Sequence, residues 1–191
     1  MRTNLEYGYI PSCIECQRNK SPSKLLTAPF IPDDRCDSIS MDFIGPLPSD
    51  EGHDCILTIT DRLGLEVRLI PTSTALTAKQ LAVLFFDCWY CENGLPTDIV
   101  SNHDKLFMAA FWQHLCLFTG IKQKVSSSFH PQSNGTSKKT NKTINQCIRF
   151  HVERNQKGWV RTLPRICFQI MATINKSTGY TPFQLRFGQC P

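Results

Sequence analysis

A chain of 191 residues with 41% apolar and 10% aromatic content is long enough for one α/β domain with a real core, with some residues left for appendages. It has no run of 18 apolar residues, and Met1 to Tyr7 contains no apolar h-region, so neither a membrane span nor a secretory signal is expected and the protein reads as intracellular, nuclear or cytoplasmic. The net charge of +5 is unevenly spread: between Lys122 and Arg161 nine Lys or Arg face one acid, a local +8, while the remainder sums to −3. Such a concentration is either a solvated basic face or the footprint of a polyanion, and it favours nucleic acid as the partner.

Of the ten cysteines, only Cys13/Cys16 and Cys88/Cys91 are closely spaced. The others fall mostly in apolar runs, which fits buried free thiols of a reducing compartment better than a disulfide scaffold. Residues 1–36 read as a tail. Cys13-Ile-Glu-Cys16 is half of a zinc motif, and no histidine precedes it, since the first is His53. A structural zinc site needs four ligands, so zinc is not expected in this fragment. Pro22, Pro29 and Pro32 mark an extended connector.

The domain proper is expected over 37–191. Ile39, Met41 and Phe43 alternate with Ser38, Ser40 and Asp42, the period of a strand with one buried face, and Gly45-Pro46 ends it. Cys55 to Thr60 and Leu65 to Ile70 are two more β-rich runs, joined by a hairpin turn at Asp61-Arg-Leu-Gly64. Thr77-Ala-Lys-Gln80 is a capping box, followed by Leu81, Leu84, Phe85, Cys88 and Trp89 at helical spacing and a stop at Gly94. Asp98 to Ser101 is a short strand. Phe111, Leu115 and Phe118 are expected to line a second helix closed by Gly120, and Lys122 to Val125 a fifth strand. A long amphipathic helix follows. Ile144, Cys147, Ile148 and His151 form its apolar stripe, with Lys138, Asn141, Lys142, Asn145 and Arg149 together on another face. Trp159, Leu163, Ile166, Cys167, Ile170 and Ile174 predict a further helix, and Thr181-Pro-Phe-Gln184 a second capping box. The order predicts an α/β protein, a five-stranded mixed sheet flanked by helices, of ribonuclease H-like pattern.

Several stretches carry a resemblance. They are Cys13-x2-Cys16-Gln-Arg-x-Lys, Met41-Asp-Phe-Ile-Gly-Pro-Leu-Pro48, Thr60-Asp-Arg62 and Asn93-Gly-Leu-Pro96. Val100-Ser-Asn102, His130-Pro-Gln-Ser-Asn-Gly135, Leu163-Pro164 and Ser177-Thr-Gly-Tyr-Thr-Pro-Phe183 complete them. In this order, over nearly the whole chain, they resemble the integrase catalytic core of gypsy-type long-terminal-repeat retrotransposons, of the fungal kind. The resemblance implies DNA integration and nucleic-acid binding, DNA without sequence preference and RNA as well, in a nuclear transposable-element polyprotein of which this chain is a fragment. It also implies possible homo-oligomers. His130, Gln132, Lys139, Lys142 and Arg149 then stand at DNA-contacting positions.

The family's chemistry uses three carboxylates that hold two Mg²⁺ or Mn²⁺ ions roughly 3.5–4 Å apart for in-line phosphoryl transfer. The resemblance places the first at Asp42. The second and third positions carry Asn102 and Lys138, with the family's thirty-five residues between them. An amide offers a metal one neutral oxygen, and an ammonium offers none and repels the ion. The expectation is therefore an integrase-core fold with impaired catalysis and no productively bound metal. Two alternatives stay open: an active metal-dependent transferase with a rearranged site, and a domesticated interaction module without catalysis. Lys138 is expected to reach toward Asp42 in the ion's place.

Overall fold

The computed structural model describes residues 32–126, 135–151, 157–176 and 178–191, with the backbone alone for 135–138 and 151. The chain divides into two units, Met1–Phe30 and Ile31–Pro191, and all described residues belong to the second.

Five strands form one sheet in the order β3-β2-β1-β4-β5. They are β1 (Ser38–Ile44), β2 (Cys55–Asp61), β3 (Val67–Thr72), β4 (Asp98–Ser101) and β5 (Lys122–Val125). The first three pair antiparallel, and β4 and β5 join parallel to β1 and to each other, so the sheet is mixed. The helices are α1 (Ala78–Phe85), α2 (Ala110–Thr119), α3 (Gly135–His151), α4 (Trp159–Met171) and α5 (Pro182–Phe187). α1 runs on through a π-helical stretch, Phe86–Tyr90, and a last turn, Cys91–Asn93. Among the described residues no helix is long and apolar enough to cross a membrane.

Both capping boxes form: Thr77 and Gln80 open α1, and Thr181 and Gln184 open α5. The β2–β3 turn is organised by Asp61, whose carboxylate accepts from the backbone N–H groups of Leu63 (3.2 Å), Gly64 (2.7 Å) and Cys36 (3.1 Å). Glycine at position 64 leaves room for this bonding, because a Cβ there would lie 2.7 Å from Asp61 Oδ2 and would push the carboxylate out of place.

Two apolar clusters lie on the two faces of the sheet. Ile39, Met41, Leu57 and Ile59 pack with Leu81, Phe85 and Trp89 of the α1 region and Trp112 and Cys116 of α2. Ile44 and Ile56 pack with Ile144 and Ile148 of α3 and Trp159, Leu163 and Ile166 of α4. This corrects the expectation of one buried face on β1: Ser38 and Ser40 are only 1% and 3% exposed. A central strand between two helical layers has no solvated side, so its serines are satisfied internally, Ser38 Oγ by Asp98 and Ser40 Oγ by the Thr60 carbonyl. Two helical stripes are also corrected. In α2 the buried residues are Trp112 and Cys116, and Leu115 packs against the same cluster as expected, while Phe111 and Phe118 are 44% and 92% exposed. α4 ends at Met171, which leaves Ile174 beyond the helix and exposed.

Candidate functional site

Successive side chains of a strand point to opposite faces, so Asp42 shares a face with Ile44. Ile44 packs beneath Ile144 and Ile148, which brings Asp42 under the N-terminal half of α3. On that helix Asn141, Ile144 and Ile148 follow one another at i, i+3 and i+7 and so lie on one stripe. Asn141 Nδ2 donates to Asp42 Oδ2 at 2.8 Å. The parallel pairing of β1 with β4 sets Met41 opposite Ser101, so the next residue of the chain, Asn102, leaves the strand end beside Asp42. Asn102 Nδ2 donates to Asp42 Oδ1 at 2.8 Å, and the backbone N–H of Phe43 donates to the same oxygen at 2.9 Å. One carboxylate thus receives N–H donors from three elements, and the three side chains are all half-buried.

Hydrogen bonding to the Asp42 carboxylate assigns the direction of both amides. Asn102 Oδ1 accepts from the backbone N–H of Asp104 at 3.0 Å, so its oxygen is turned away from Asp42. Asn141 Oδ1 lies 3.3 Å from Thr58 Oγ1, the hydroxyl of the residue paired with Asp42 on β2. Reversing either amide would set an oxygen against a carboxylate oxygen. The acids nearest in sequence to Asn102 are engaged elsewhere. Asp98 is buried at the far end of β4, where it accepts from Ser38 Oγ at 2.6 Å and Lys124 Nζ at 2.9 Å. Asp104 Oδ1 accepts from the backbone N–H of Leu106 at 2.9 Å, closing its own loop. Burial, with Asp54, Asp104 and Asp42 adding to it, pushes the Cys55 thiol up to about 11.

No protein-family model matches the chain. It is 27% identical over 181 residues to the Tf2-3 transposon polyprotein of Schizosaccharomyces pombe, and equally to the Tf2-4 polyprotein; the match takes in 93% of this chain and 14% of those. The chain therefore spans about one seventh of the length of the curated relatives it matches. Among solved structures it superposes on the magnesium complex of the HTLV-2 integrase catalytic core domain, in its trimeric form, with a TM-score of 0.63 and 14% identity. That match covers 82% of this chain and 97% of the other. A subunit of the simian T-cell lymphotropic virus intasome, solved with the PP2A regulatory subunit B56 gamma, gives 0.67 and 15% over 95% of this chain and 67% of the other. The chain is homologous to Tf2 retrotransposon polyproteins and shares the ribonuclease H-like fold of retroviral integrase catalytic cores.

The magnesium in the HTLV-2 complex is in line with a divalent ion for integrase cores. The residues around Asp42 in this chain do not fit one. A hard cation wants several oxygen ligands, and here a single carboxylate meets two amide NH₂ groups that point at it. Among the described residues no group of three or more His, Cys, Asp or Glu could hold a metal ion.

Asp42 and Asn102 are thus brought together. Lys138 lies in the first turn of α3, and its side chain falls outside the described residues, as do His130, Gln132, Cys13 and Cys16. Lys139, Lys142 and Arg149 are exposed along α3. Asn141 corrects the expected polar face of this helix: it points at the sheet, not outward with Lys142 and Arg149. Its spacing from Ile144 and Ile148 was the signal that could have found it.

Proposed function

We propose that this integrase core-like domain binds nucleic acid, DNA first, through the exposed basic face of α3, and that this copy has lost metal-dependent strand transfer. The observation that carries the second half is the polarity of Asn102, whose oxygen is committed to the Asp104 N–H while its NH₂ holds Asp42. Asn102 at the family's second carboxylate position therefore supplies a donor where a ligand is needed, and Lys138 at the third supplies a cation. The first half rests on Lys139, Lys142 and Arg149, three exposed cations on one side of a helix in the most basic part of the chain. Helical phosphate contacts of this kind position DNA without reading its sequence. The domain meets its nucleic acid inside the cell, in the nucleus or cytoplasm.

The test is duplex binding measured against salt, beside a strand-transfer assay with Mn²⁺. Lys139→Glu together with Lys142→Glu is expected to weaken binding to unrelated sequences alike and to flatten the salt slope by about one unit for each phosphate no longer neutralised. Strand transfer is expected to be absent from the native chain. Binding that ignores salt or these reversals sinks the nucleic-acid reading, and transfer by the native chain favours the rearranged active site.

We further propose self-association through the outer face of α1 and α2. Val83, Phe86, Phe111, Leu117 and Phe118 are exposed there, beside an apolar cavity of about 260 Å³ lined by Phe85, Phe86, Tyr90, Leu95, Trp112 and Leu115. Exposed apolar side chains grouped in this way suit an interaction site, and the HTLV-2 core is described in dimeric and trimeric forms.

A further inference from the structure

The amides do more than fail as ligands. We propose that Asn102 and Asn141 act as a cation's substitute, holding Asp42 so that α3 docks on the sheet without metal, and that residue 102 sets which of the two modes the fold uses. The inference rests on the reading of this site as one without strand transfer.

Clustered carboxylates repel one another when no cation is present, since like charges a few ångströms apart disfavour joint ionisation. In such a site, replacing one carboxylate by its amide relieves repulsion and firms up the metal-free protein. Around Asp42 the sign is reversed. Its two oxygens accept from Asn102 at 2.8 Å and Asn141 at 2.8 Å, and Oδ1 also accepts from the Phe43 N–H. These are charge-assisted bonds, stronger than neutral ones. They join β1, the end of β4 and α3 at one point, and on β2 the Thr58 hydroxyl lies 3.1 Å from the Asp42 carbonyl and 3.3 Å from Asn141 Oδ1. Asp42→Asn would leave one acceptor oxygen for donors on two sides and set its own NH₂ against a neighbouring NH₂.

The experiment is thermal unfolding of the native chain and two variants, each in EDTA and in millimolar Mg²⁺ or Mn²⁺, with hydrogen exchange along α3. The native midpoint is expected not to respond to the metals. Asp42→Asn is expected to lower it by roughly 3–10 °C, equally with and without metal, and to reduce protection in α3 before the sheet. Asn102→Asp sets a second carboxylate against Asp42, so it is expected to melt lower in EDTA and to recover on adding Mn²⁺. Three results overturn the proposal: a native midpoint that rises with metal, Asp42→Asn that melts at or above the native temperature in EDTA, or Asn102→Asp indifferent to both conditions. If Asn102→Asp does not fold in either condition, the first two comparisons still decide. Salt-dependent DNA binding is read separately through Lys139 and Lys142. Its loss with these shifts intact sinks the function and leaves the amide clamp standing. DNA binding without the shifts sinks the clamp alone.

Discussion

Asp50 and Asp42 show how two carboxylates on one stretch of chain are put to different uses by their donors. Asp50, in the loop between β1 and β2, accepts from the backbone N–H of Val160 at 2.9 Å, in the first turn of α4. The N-cap residue of that helix, Gly158, brings no side chain to the task, so the loop provides the cap from 110 residues away. The Val160 N–H foremost holds the Asp50 carboxyl below its ordinary value of 3.8, and the Gly158 N–H, Arg161 and Lys157 contribute in the same direction against burial. A carboxyl depressed in the folded state adds stability that is complete above the ordinary value and lost as pH falls through the lower folded one. The resistance of the native chain to urea should therefore fall below about pH 3.8. Asp50→Ala should cost about 0.5–2 kcal/mol at neutral pH and flatten that acid limb. An alanine variant with the native acid limb would assign the effect to another group.

At the scale of elements, α2 separates what periodicity tells from what packing decides. Apolar residues occupy so much of Ala110–Thr119 that more than one stripe satisfies helical spacing. Phe111, Leu115 and Phe118 are one such stripe, yet the helix buries Trp112 and Cys116, against Phe85 and Phe107 among others. The larger indole fills the space between α1 and the sheet, and the helix rotates to place it there. Leu117 and Phe118 are left 76% and 92% exposed. Phe118→Lys is expected to convert the protein to monomers in sedimentation while changing its unfolding free energy by no more than about 0.5 kcal/mol, because the ring has little to lose in the monomer. A native chain that already sediments as a monomer at micromolar concentration excludes the interface. α3 carries the same lesson with the opposite outcome: Asn141 is polar and still belongs to the inward stripe, because its partner there is a charge.

For the whole molecule, one ion network centred on the buried Glu66 ties distant parts of the chain together. Glu66, whose side chain is 1% exposed, pairs with Arg68 of β3 at 3.1 Å, with Arg35 ahead of β1 at 3.5 Å, and with Arg186 of α5. Arg186 also reaches Glu92, after the π-helical stretch, at 3.0 Å, and Arg35 Nη1 donates to the Leu185 carbonyl. The segment entering β1, the β2–β3 turn and the C-terminal helix thus share one carboxylate. This network lies at the Ser38 end of β1, and the Asp42 site lies toward the other end. Glu66 is buried while its arginines keep 16–30% exposure, so Glu66→Gln should cost about 1–3 kcal/mol, below the figure for a fully buried pair. Added salt should change that cost little, because buried charges are poorly screened. A cost below about 1 kcal/mol in denaturant unfolding, or one that disappears in high salt, would place Glu66 among ordinary surface ion pairs.

What the sequence determined by itself is local. The alternation in Ser38–Ile44, the Thr77/Gln80 and Thr181/Gln184 boxes and the stops at Gly94 and Gly120 depend on neighbours a few residues apart, so they are legible one window at a time. The motif frame also placed Asp42 and Asn102 together, through the fixed order of strands. The tertiary structure decided the rest. Asn141 meets Asp42 across 99 residues, and no window of the chain contains both. The direction of the Asn102 amide depends on an N–H two residues on and a carboxylate sixty residues back, whose positions follow only from how β1 and β4 pair. An amide has both a donor end and an acceptor end, so its identity leaves its role open until the fold says which end faces the charge.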